Sequence, residues 1–508
     1  MRDHQFIFDA VFAHAGKSAD DTALVFEGRA TSYDELTHRA VRVGNGLRDM
    51  DIARQGRVAI LTGNNDYFFE IWLGAALGNF VLTPINARLA PQEVTYILND
   101  SGAEVLFVDT TFFGLVRGIS DQLTSVRETI PLDSYPEWRD AQSGERPAGD
   151  IDPTEPMVQM YTSGTTGFPK GVVLNHSAVL ACVRSMMGLH EWEPGHVALV
   201  TAPLFHTAGC AWANCALQTG GTIILLRELT PVTILNAIEK HKVTQALLVP
   251  AVIQMVLQTP ECATTDFSSL KRMLYGASPI PVPVLRQAVE TFGCEFEQGY
   301  GLTETVGPIA MLRPDDHRTD TKMQSCGRPV PGANIRVVDY AGRDCETGEV
   351  GEIVFSGVQS MNGYWNQPEE TAKTIRDGWL HTGDAGYFDE DGYLFIHDRL
   401  KDMIVSGGEN VYPAEVERVL EECPGITDVA VIGVPDERWG ETVKAVVVTG
   451  DESTITDSDV IEFARQHIAR FKCPTSVDFV DAIPRNPSGK ILKKVLRAPY
   501  WENHERNV

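Results

Sequence analysis

The sequence predicts an α/β protein with a large N-terminal domain of layered subdomains and a small C-terminal α/β domain. Three observations lead to this fold class. The chain has 508 residues, too many for one compact core. Its first 300 residues alternate short apolar strands with amphipathic helices, which is typical of largely parallel sheets covered by helices. Helices become sparse after about residue 325, and a polar, glycine-containing connection follows at 399–412.

The individual elements follow from the hydrophobic pattern. Strands are predicted where short apolar runs end at turn residues, and helices where apolar residues recur every three to four positions. The predicted strands of the first 300 residues are 57–63, 80–86, 103–109, 157–162, 222–228, 244–250 and 272–278. The predicted helices between them are 67–78, 91–100, 178–190, 231–242 and 281–293.

Two changes of pattern define the predicted domains. Residues 326–400 carry strands separated by Gly and Pro turns, which predicts a β-rich subdomain. Residues 401–508 have a pattern of helix, strand, strand, helix and strand, which forms a compact α/β unit of its own. We therefore predict an N-terminal domain over 1–400 and a C-terminal domain over 401–508.

Composition excludes several classes of partner. The formal net charge is −26 and the pI is near 4.9, whereas nucleic acids and anionic membranes are bound through basic surfaces. The nine cysteines are scattered without a CxxC pair, which is typical of reduced thiols in a cytosolic protein. Neither a signal peptide nor an apolar run of about 18 residues is visible. We expect a soluble, cytoplasmic protein without a membrane segment.

The stretch YTSGTTGFPKGVV, at residues 161–173, exposes backbone N–H groups and hydroxyl donors around one lysine. It lies between a predicted strand and a predicted helix, where several N–H groups can surround an anion, and phosphate fits best. The spacing is not the P-loop GxxxxGK[ST]. A flexible surface turn is the alternative, but the length of the pattern favours binding. The predicted phosphate-binding residues are Thr162, Ser163, Gly164, Thr165, Thr166, Gly167 and Lys170.

This loop resembles the phosphate loop of the adenylate-forming superfamily, which includes acyl-CoA synthetases, firefly luciferase and the adenylation domains of peptide synthetases. The resemblance extends over nearly the whole chain and implies the adenylate-forming enzyme fold, with a mobile C-terminal domain that hinges at Lys401. Further signatures occur in the family's order: YGASP (275–279), GYGLTETVG (299–307), WLHTGDAGYFDEDGYLFIHDRLKD (379–402), SGGENVYPAEVE (406–417) and PRNPSGKILKK (484–494).

The resemblance implies a role for each signature residue. Glu304 would coordinate Mg²⁺, Thr303 would contact the α-phosphate, and Tyr300 would stack near the adenine. Asp384 would accept the ribose hydroxyls, with Arg399 near the ribose and phosphate. Residues that would complete the nucleotide site are Gly276, Ala277, Ser278 and Gly301. From the residues alone, a solvated acid at Glu304 and an Asx turn at Asp384 remain alternatives.

The remaining signatures concern the acid and the second half-reaction. Lys490 would bridge the substrate carboxylate and the α-phosphate, because a fixed cation lowers the cost of bringing two anions together. From the residues alone, a solubilising surface charge is the alternative for this lysine. Gly407 and Gly408 would let a pantetheine arm pass, and His206 would gate the carboxylate pocket.

The implied function is an ATP-dependent acid–thiol ligase, an acyl-CoA synthetase that uses ATP, Mg²⁺ and coenzyme A. It would form an acyl-adenylate with release of pyrophosphate and pass the acyl group to CoA. The predicted pocket positions between 206 and 310 are apolar or small, so we expect a fatty, aromatic or alicyclic monocarboxylic acid. Two alternatives stay open: transfer to the pantetheine of a separate carrier protein, and an ADP-forming phosphotransferase or ATPase. Either a monomer or a homodimer is compatible with the sequence.

Overall fold

The computed structural model describes ten segments of the chain, and all structural statements below concern these segments. They are residues 4–147, 149–162, 169–189, 192–278, 280–399, 402–406, 409–436, 439–450, 453–485 and 490–502. Strands and helices are numbered in chain order.

The strands are β1 (Thr22–Phe26), β2 (Arg29–Ser32), β3 (Arg57–Leu61), β4 (Val81–Ile85), β5 (Val105–Val108), β6 (Glu128–Pro131), β7 (Pro156–Thr162), β8 (Lys170–Asn175), β9 (Val197–Val200), β10 (Thr222–Leu225), β11 (Gln245–Leu247), β12 (Arg272–Gly276), β13 (Glu295–Gly301), β14 (Pro308–Leu312), β15 (Arg328–Pro329), β16 (Asn334–Val338), β17 (Gly351–Ser356), β18 (Gly363–Tyr364), β19 (Ile375–Arg376), β20 (Trp379–Phe388), β21 (Leu394–Arg399), β22 (Ile404–Ser406), β23 (Glu409–Val411), β24 (Ile426–Asp436), β25 (Gly440–Thr449) and β26 (Ser476–Phe479).

The helices are α1 (Ile7–Ala15), α2 (Tyr33–Asp49), α3 (Tyr67–Gly78), α4 (Pro91–Ser101), α5 (Phe113–Ile119), α6 (Tyr135–Asp140), α7 (His176–Leu189), α8 (Thr207–Thr219), α9 (Pro231–Lys240), α10 (Pro250–Leu257), α11 (Val282–Phe292), α12 (Asp320–Met323), α13 (Pro368–Thr374), α14 (Pro413–Glu421), α15 (Asp457–His467) and α16 (Lys493–Trp501).

Two sheets organise the first 330 residues. One has the strand order β15-β14-β13-β12-β11-β9-β10-β1-β2, and the other has the order β18-β8-β7-β4-β3-β5-β6. Pairing is parallel through the centre of each sheet, as the alternation of strands and helices predicts. Trp72 and Trp212, which are 2% and 1% exposed, belong to a core that both sheets and their helices share.

The sheets bring the predicted nucleotide residues to strand ends. Gly276 ends β12, Gly301 ends β13, and Thr162 ends β7. Ligands of open α/β sheets bind beyond the carboxyl ends of parallel strands, because loops from several strands converge there. The fold therefore places these predicted residues at strand ends of both sheets, Gly276 and Gly301 in one and Thr162 in the other.

The β-rich segment forms a third sheet, with the order β16-β17-β20-β19 and with β21 paired to β20. Its buried side chains Ile353, Phe355 and Leu380 belong to the same core as the first two sheets. A fourth sheet, β23-β22-β25-β24 with β26 beside β25, has a core of its own together with α14 and α15. The predicted fold class, a large N-terminal and a small C-terminal α/β domain, is confirmed.

The change from the third to the fourth sheet falls between Arg399 and Ile404. The boundary at residue 400 stays a prediction, as does the hinge at Lys401, a residue that lies outside the described segments. Within those segments, no helix is long and apolar enough to cross a bilayer.

The predicted helices of the first 300 residues are confirmed to within two residues at each end. Helix α4 illustrates the local cause: Pro91 opens it, and Gly102 closes it at φ +69°, a left-handed conformation that glycine adopts without strain. One expectation was wrong. The glycine-rich loop does not lead directly into a helix, because β8 intervenes and pairs antiparallel with β7 from Pro156 to Thr162.

Candidate active site

The ammonium group of Lys170 and the carboxylate of Glu304 both lie close to the side chain of Tyr364. Tyr364 Oη donates a hydrogen bond to Glu304 Oε1 at 2.9 Å, and Lys170 Nζ lies 5.0 Å from the ring centroid. Burial, and then the Glu304 charge, raise the pKa of the Tyr364 hydroxyl, so it stays protonated and keeps donating. The predicted phosphate-binding cation and the predicted metal-binding carboxylate therefore share one site.

Tyr364 reaches this position because β18 adds to the free edge of β8. Gly363 and Tyr364 pair with Val173 and Val172, and the Trp365 N–H donates to the Gly171 carbonyl at 2.7 Å. Trp365 Nε1–H also donates to the Asp100 carbonyl at 2.9 Å. These bonds fix the segment after Gly363 beside the strand that carries Lys170.

Helix α13 follows this segment and places a carboxylate on Lys170. Lys170 Nζ donates to Glu370 Oε2 at 2.6 Å, and Lys373 Nζ donates to Glu370 Oε1 at 2.7 Å. Hydrogen bonds from both lysines lower the pKa of the Glu370 carboxyl to about 2. Sequence reasoning missed Tyr364 and Glu370. The signal available was GYWNQPEE at 363–370, where two aromatic and two acidic residues follow a glycine.

The predicted ribose-binding carboxylate is fixed by the predicted adenine-stacking residue. Tyr300 Oη donates to Asp384 Oδ2 at 2.7 Å, and the two residues are 7% and 4% exposed. Asp384 lies in β20 directly opposite Arg399 of β21, so the backbone of these two predicted nucleotide residues is paired. The backbone N–H of Asp384 donates to the Thr382 hydroxyl at 3.1 Å, which fixes the turn before it. Two sequence signatures, 299–307 and 379–402, thus meet at Tyr300 and Asp384.

The segments around the predicted nucleotide site have tight or strained backbones. A Cβ added at Gly301 would collide with the Gly307 carbonyl, so only glycine fits there. Ala277 and Val306 have φ angles of +67° and +63°, which L-residues with a side chain rarely adopt. Strain of this kind is concentrated at functional sites, because the surrounding structure must hold it in place. Gly276 ends β12 just before Ala277, and Ser278 follows it half-buried.

Thr303 and Glu304 lie in a 3₁₀ turn, Thr303–Thr305, immediately after β13. The Thr305 hydroxyl donates to the Gly307 carbonyl at 2.8 Å and accepts the Leu302 N–H at 2.9 Å, which closes the turn. The half-buried side chains of Thr303 and Glu304 therefore leave a rigid turn at the carboxyl end of a strand.

His206 is the residue before α8, at the carboxyl-terminal side of β9. Desolvation, and then the charge of Arg88, lower the pKa of its imidazole to about 4. The ring is therefore neutral near pH 7, and its Nε2 has no hydrogen-bond partner among the described residues. Trp212 and Cys210, which the sequence suggests for the lining of an acyl tunnel, are both buried, and Trp212 donates from Nε1 to the Leu199 carbonyl at 3.0 Å. Their place in a tunnel stays a prediction.

Lys490 belongs to the small domain, whereas Lys170, Glu304 and Asp384 belong to the large one. It follows a segment that starts at Arg485, and Arg485 forms an isolated β-bridge with Ile491. Arg485 Nη2 donates to both carboxylate oxygens of Asp428, at 2.8 and 3.0 Å. The base of the Lys490 segment is thereby fixed to the fourth sheet.

Several predicted residues lie outside the described segments. They are Ser163, Gly164, Thr165, Thr166 and Gly167 of the glycine-rich loop, and Gly407 and Gly408 after β22. The two residues that flank the loop are described: Thr162 ends β7 and pairs with Lys170 at the start of β8. The glycine-rich loop thus connects the two strands of a β-hairpin, β7 and β8, and Lys170 is the first residue of the second strand.

The described residues contain no cluster of three or more His, Cys, Asp or Glu side chains that could hold a metal ion by itself. The Glu304 carboxylate, the predicted metal ligand, would offer a hard oxygen, and its side chain accepts a hydrogen bond from Tyr364. Magnesium in nucleotide sites usually binds one or two carboxylates together with substrate phosphates and water. A single carboxylate beside a phosphate cation fits that pattern.

Comparison with known proteins agrees with this geometry. The AMP-binding enzyme family profile matches residues 11–365, and the AMP-binding enzyme C-terminal domain profile matches 415–490. A fatty acid–[acyl-carrier-protein] ligase of Streptomyces coeruleorubidus is 40% identical over 97% of this chain and 96% of its own. A feruloyl-CoA synthase of an Amycolatopsis species is 38% identical over 95% and 96%.

A solved structure of a Mycobacterium tuberculosis fatty acyl CoA synthetase superposes with a TM-score of 0.81 at 34% identity, covering 99% of both chains. The chain belongs to the AMP-binding enzyme family. The predicted superfamily and the predicted enzyme class, a ligase, are thereby confirmed.

Proposed function

We propose that the protein is an ATP-dependent acid–thiol ligase that joins an apolar monocarboxylic acid to coenzyme A. The observation that carries the proposal is that the Lys170 ammonium and the Glu304 carboxylate both lie beside the Tyr364 side chain. A cation for phosphate and a hard oxygen ligand for a metal are the two groups that a polyphosphate needs. The relatives that span nearly the whole chain are acid–thiol ligases by name.

In the first step, the substrate carboxylate attacks the α-phosphorus of ATP and pyrophosphate leaves. A carboxylate is a poor acyl donor because its oxygen is a bad leaving group, and AMP supplies a good one. Lys170 and the loop from Thr162 to Gly167 hold the β- and γ-phosphates. Lys490 offsets the charge where the carboxylate approaches the α-phosphate, and Thr303 donates its hydroxyl to that phosphate.

In this proposal, Glu304 would coordinate Mg²⁺. When bound, the ion supplies charge neutralisation to the phosphate oxygens next to the carboxylate. The Tyr364 hydroxyl keeps that carboxylate in a single orientation, since it donates to Oε1 and stays protonated.

The nucleoside half of ATP lies between β12, β13 and β20. Tyr300 presents its ring to the adenine, and its hydroxyl holds Asp384 in position for the ribose hydroxyls. Arg399 assists at the ribose and phosphate. The residues proposed to surround the adenine come from two segments and are Gly276, Ala277, Ser278 and Gly301.

In the second step, the thiol of CoA attacks the acyl-adenylate and AMP leaves. We propose that the small domain, 401–508, rotates about Lys401 between the steps, withdrawing Lys490 and presenting Gly407 and Gly408 to the pantetheine arm. A core separate from that of the large domain supports such a rotation, because the small domain can move without exposing the larger core.

The substrate is an apolar acid with one carboxylate. The predicted pocket positions are apolar or small, and the neutral imidazole of His206 supplies no charge for a second carboxylate. The relatives act, by name, on a fatty acid and on ferulate, each of which has one carboxylate. The preferred chain length and aromaticity of the acid can be measured by following pyrophosphate release with graded fatty, aromatic and alicyclic acids.

A carrier protein is the second candidate acceptor. The observation that favours it is the 40% identity to a ligase whose named acceptor is acyl-carrier protein. Both acceptors present the same pantetheine thiol, so the first step would be unchanged. Turnover with CoA and with a phosphopantetheinylated carrier protein, measured side by side, separates the two.

The deciding experiment is product analysis with purified protein, ATP, magnesium and an acid that is turned over. We expect AMP and pyrophosphate in equal amounts, with acyl thioester appearing only when a thiol is present. Formation of ADP without AMP would refute the proposal and would favour the phosphotransferase alternative.

A further inference from the structure

The carboxylate of Glu370 is paired with the ammonium group of Lys170, which the proposed function assigns to the phosphates. Lys170 Nζ donates to Glu370 Oε2 at 2.6 Å, and the two side chains are only 14% and 31% exposed. Partial burial reduces the screening that weakens ion pairs on an open surface. The polyphosphate of ATP therefore meets a lysine whose charge is already neutralised.

Glu370 keeps a second cation when Lys170 leaves. Lys373, three residues further along α13, donates to the other carboxylate oxygen, Oε1, at 2.7 Å. Its side chain is 67% exposed, so Lys373 and solvent together stabilise the carboxylate after Lys170 has moved. Giving up Lys170 therefore does not leave an unpaired buried charge, which would be strongly destabilising.

The surroundings fix the helix that carries Glu370, while the ammonium of Lys170 can move. The Tyr364 N–H donates to the Thr371 hydroxyl at 2.9 Å, which fixes α13 to β18. The Lys170 ammonium, in contrast, is a compact charge on a flexible four-carbon stem with three donors. A short movement of the stem can transfer the ammonium from the carboxylate to a phosphate.

We propose that Glu370 is a positioning residue for the nucleotide: it holds Lys170 in the ATP-free enzyme, releases it to the β- and γ-phosphates, and recovers it as pyrophosphate departs. The proposal rests on the phosphate-binding role of Lys170 and extends it to a carboxylate for which no role was predicted. The exchange makes and breaks ion pairs and transfers no proton. Its consequence is a weaker hold on pyrophosphate, because the product competes with Glu370 for the same cation.

The test is the affinity of the full-length protein for inorganic pyrophosphate with magnesium, measured by titration calorimetry. Glu370→Gln removes the competitor with almost no change of shape. We expect about fivefold tighter pyrophosphate binding, which corresponds to a partly shielded ion pair, and a lower KM for ATP with kcat unchanged or reduced. Unchanged or weaker pyrophosphate binding would overturn the proposal.

Two further variants separate the contact from the general effect of removing a charge. Glu369→Gln removes an exposed charge from the same helix and is expected to leave pyrophosphate affinity unchanged. Glu370→Asp keeps the charge but shortens the side chain by one methylene, so the 2.6 Å contact is lost. We expect it to tighten pyrophosphate binding at least about twofold. If Glu370→Asp binds pyrophosphate with wild-type affinity, a nearby negative charge is sufficient without the contact to Lys170, and the exchange is refuted.

Lys170→Met distinguishes failure of this inference from failure of the proposed function. If Lys170 binds phosphate, this variant loses pyrophosphate affinity by about tenfold or more. Loss in Lys170→Met without a gain in Glu370→Gln would refute the role of Glu370 alone. No loss in Lys170→Met would refute the phosphate role that the proposed function gives to this lysine, and with it the exchange, whereas the ligase activity itself is tested by the formation of AMP and pyrophosphate.

Discussion

The hydrogen bond between Tyr300 and Asp384 offers a direct test of how the nucleoside half of the site is organised. Tyr300→Phe removes only the hydroxyl that donates to Asp384 Oδ2 at 2.7 Å, in a place where both residues are less than 8% exposed. A buried hydrogen bond to a charged acceptor contributes about 1.5–3 kcal/mol. The phenylalanine ring can still stack, so the loss falls on the orientation of the carboxylate.

If about half of that energy is used to orient Asp384 for ATP, the KM for ATP should rise about four- to twelvefold, since about 1.4 kcal/mol corresponds to a factor of ten. The assay is initial-rate pyrophosphate release with ATP varied and the acid saturating. The KM for the acid should stay near its wild-type value, because the change lies on the nucleoside side.

The chain contains a matched control. Tyr393 Oη donates to Asp316 Oδ1 at 2.6 Å, and Tyr393 is 7% exposed, so Tyr393→Phe is the same chemical change on a similar hydrogen bond. It should lower stability while leaving the KM for ATP unchanged. An equal rise of the KM in both variants, or an unchanged KM in Tyr300→Phe, would refute the assignment of Tyr300 and Asp384 to the nucleotide.

Three further predictions concern the small domain and pH. Lys490→Ala should nearly abolish adenylation yet spare thioester formation from supplied acyl-adenylate. The control, Lys494→Ala, changes an exposed neighbour and should affect neither half-reaction. Equal loss of both half-reactions in Lys490→Ala would contradict a role in the first step alone. Asp428→Asn weakens the half-exposed pair with Arg485 that fixes the Lys490 segment, so adenylation should fall about two- to fivefold with the second half-reaction unchanged. His206 binds a proton more weakly in the fold, with a pKa of about 4, than in the unfolded chain, where the value is 6.5. Its contribution to stability is therefore full above pH 6.5 and is lost as the pH falls through 4. In urea unfolding, the free energy of unfolding should decrease less from pH 8 to pH 5 for His206→Gln than for the wild type.

The local elements could be predicted because their causes are local. Helix α3 runs over Tyr67–Gly78 as predicted, since its apolar run ends on a glycine. The missed strand β8, Lys170–Asn175, shows the limit: a short apolar run after a loop has no periodicity that separates it from the start of a helix. Pairing with β7 decided its conformation, and that pairing also placed Lys170 opposite Thr162, beside the carboxyl end of β7.

The sequence by itself determined the family, the fold class and the residue types of the candidate site, because each signature is a contiguous stretch whose backbone and side chains suit one ligand group. Only the tertiary structure decided which of these groups touch. Lys170 and Glu370 are 200 residues apart, and Tyr300 and Asp384 are 84 apart. Such contacts follow from strand order and register, and a local pattern records which side of an element is buried but not which distant segment covers it.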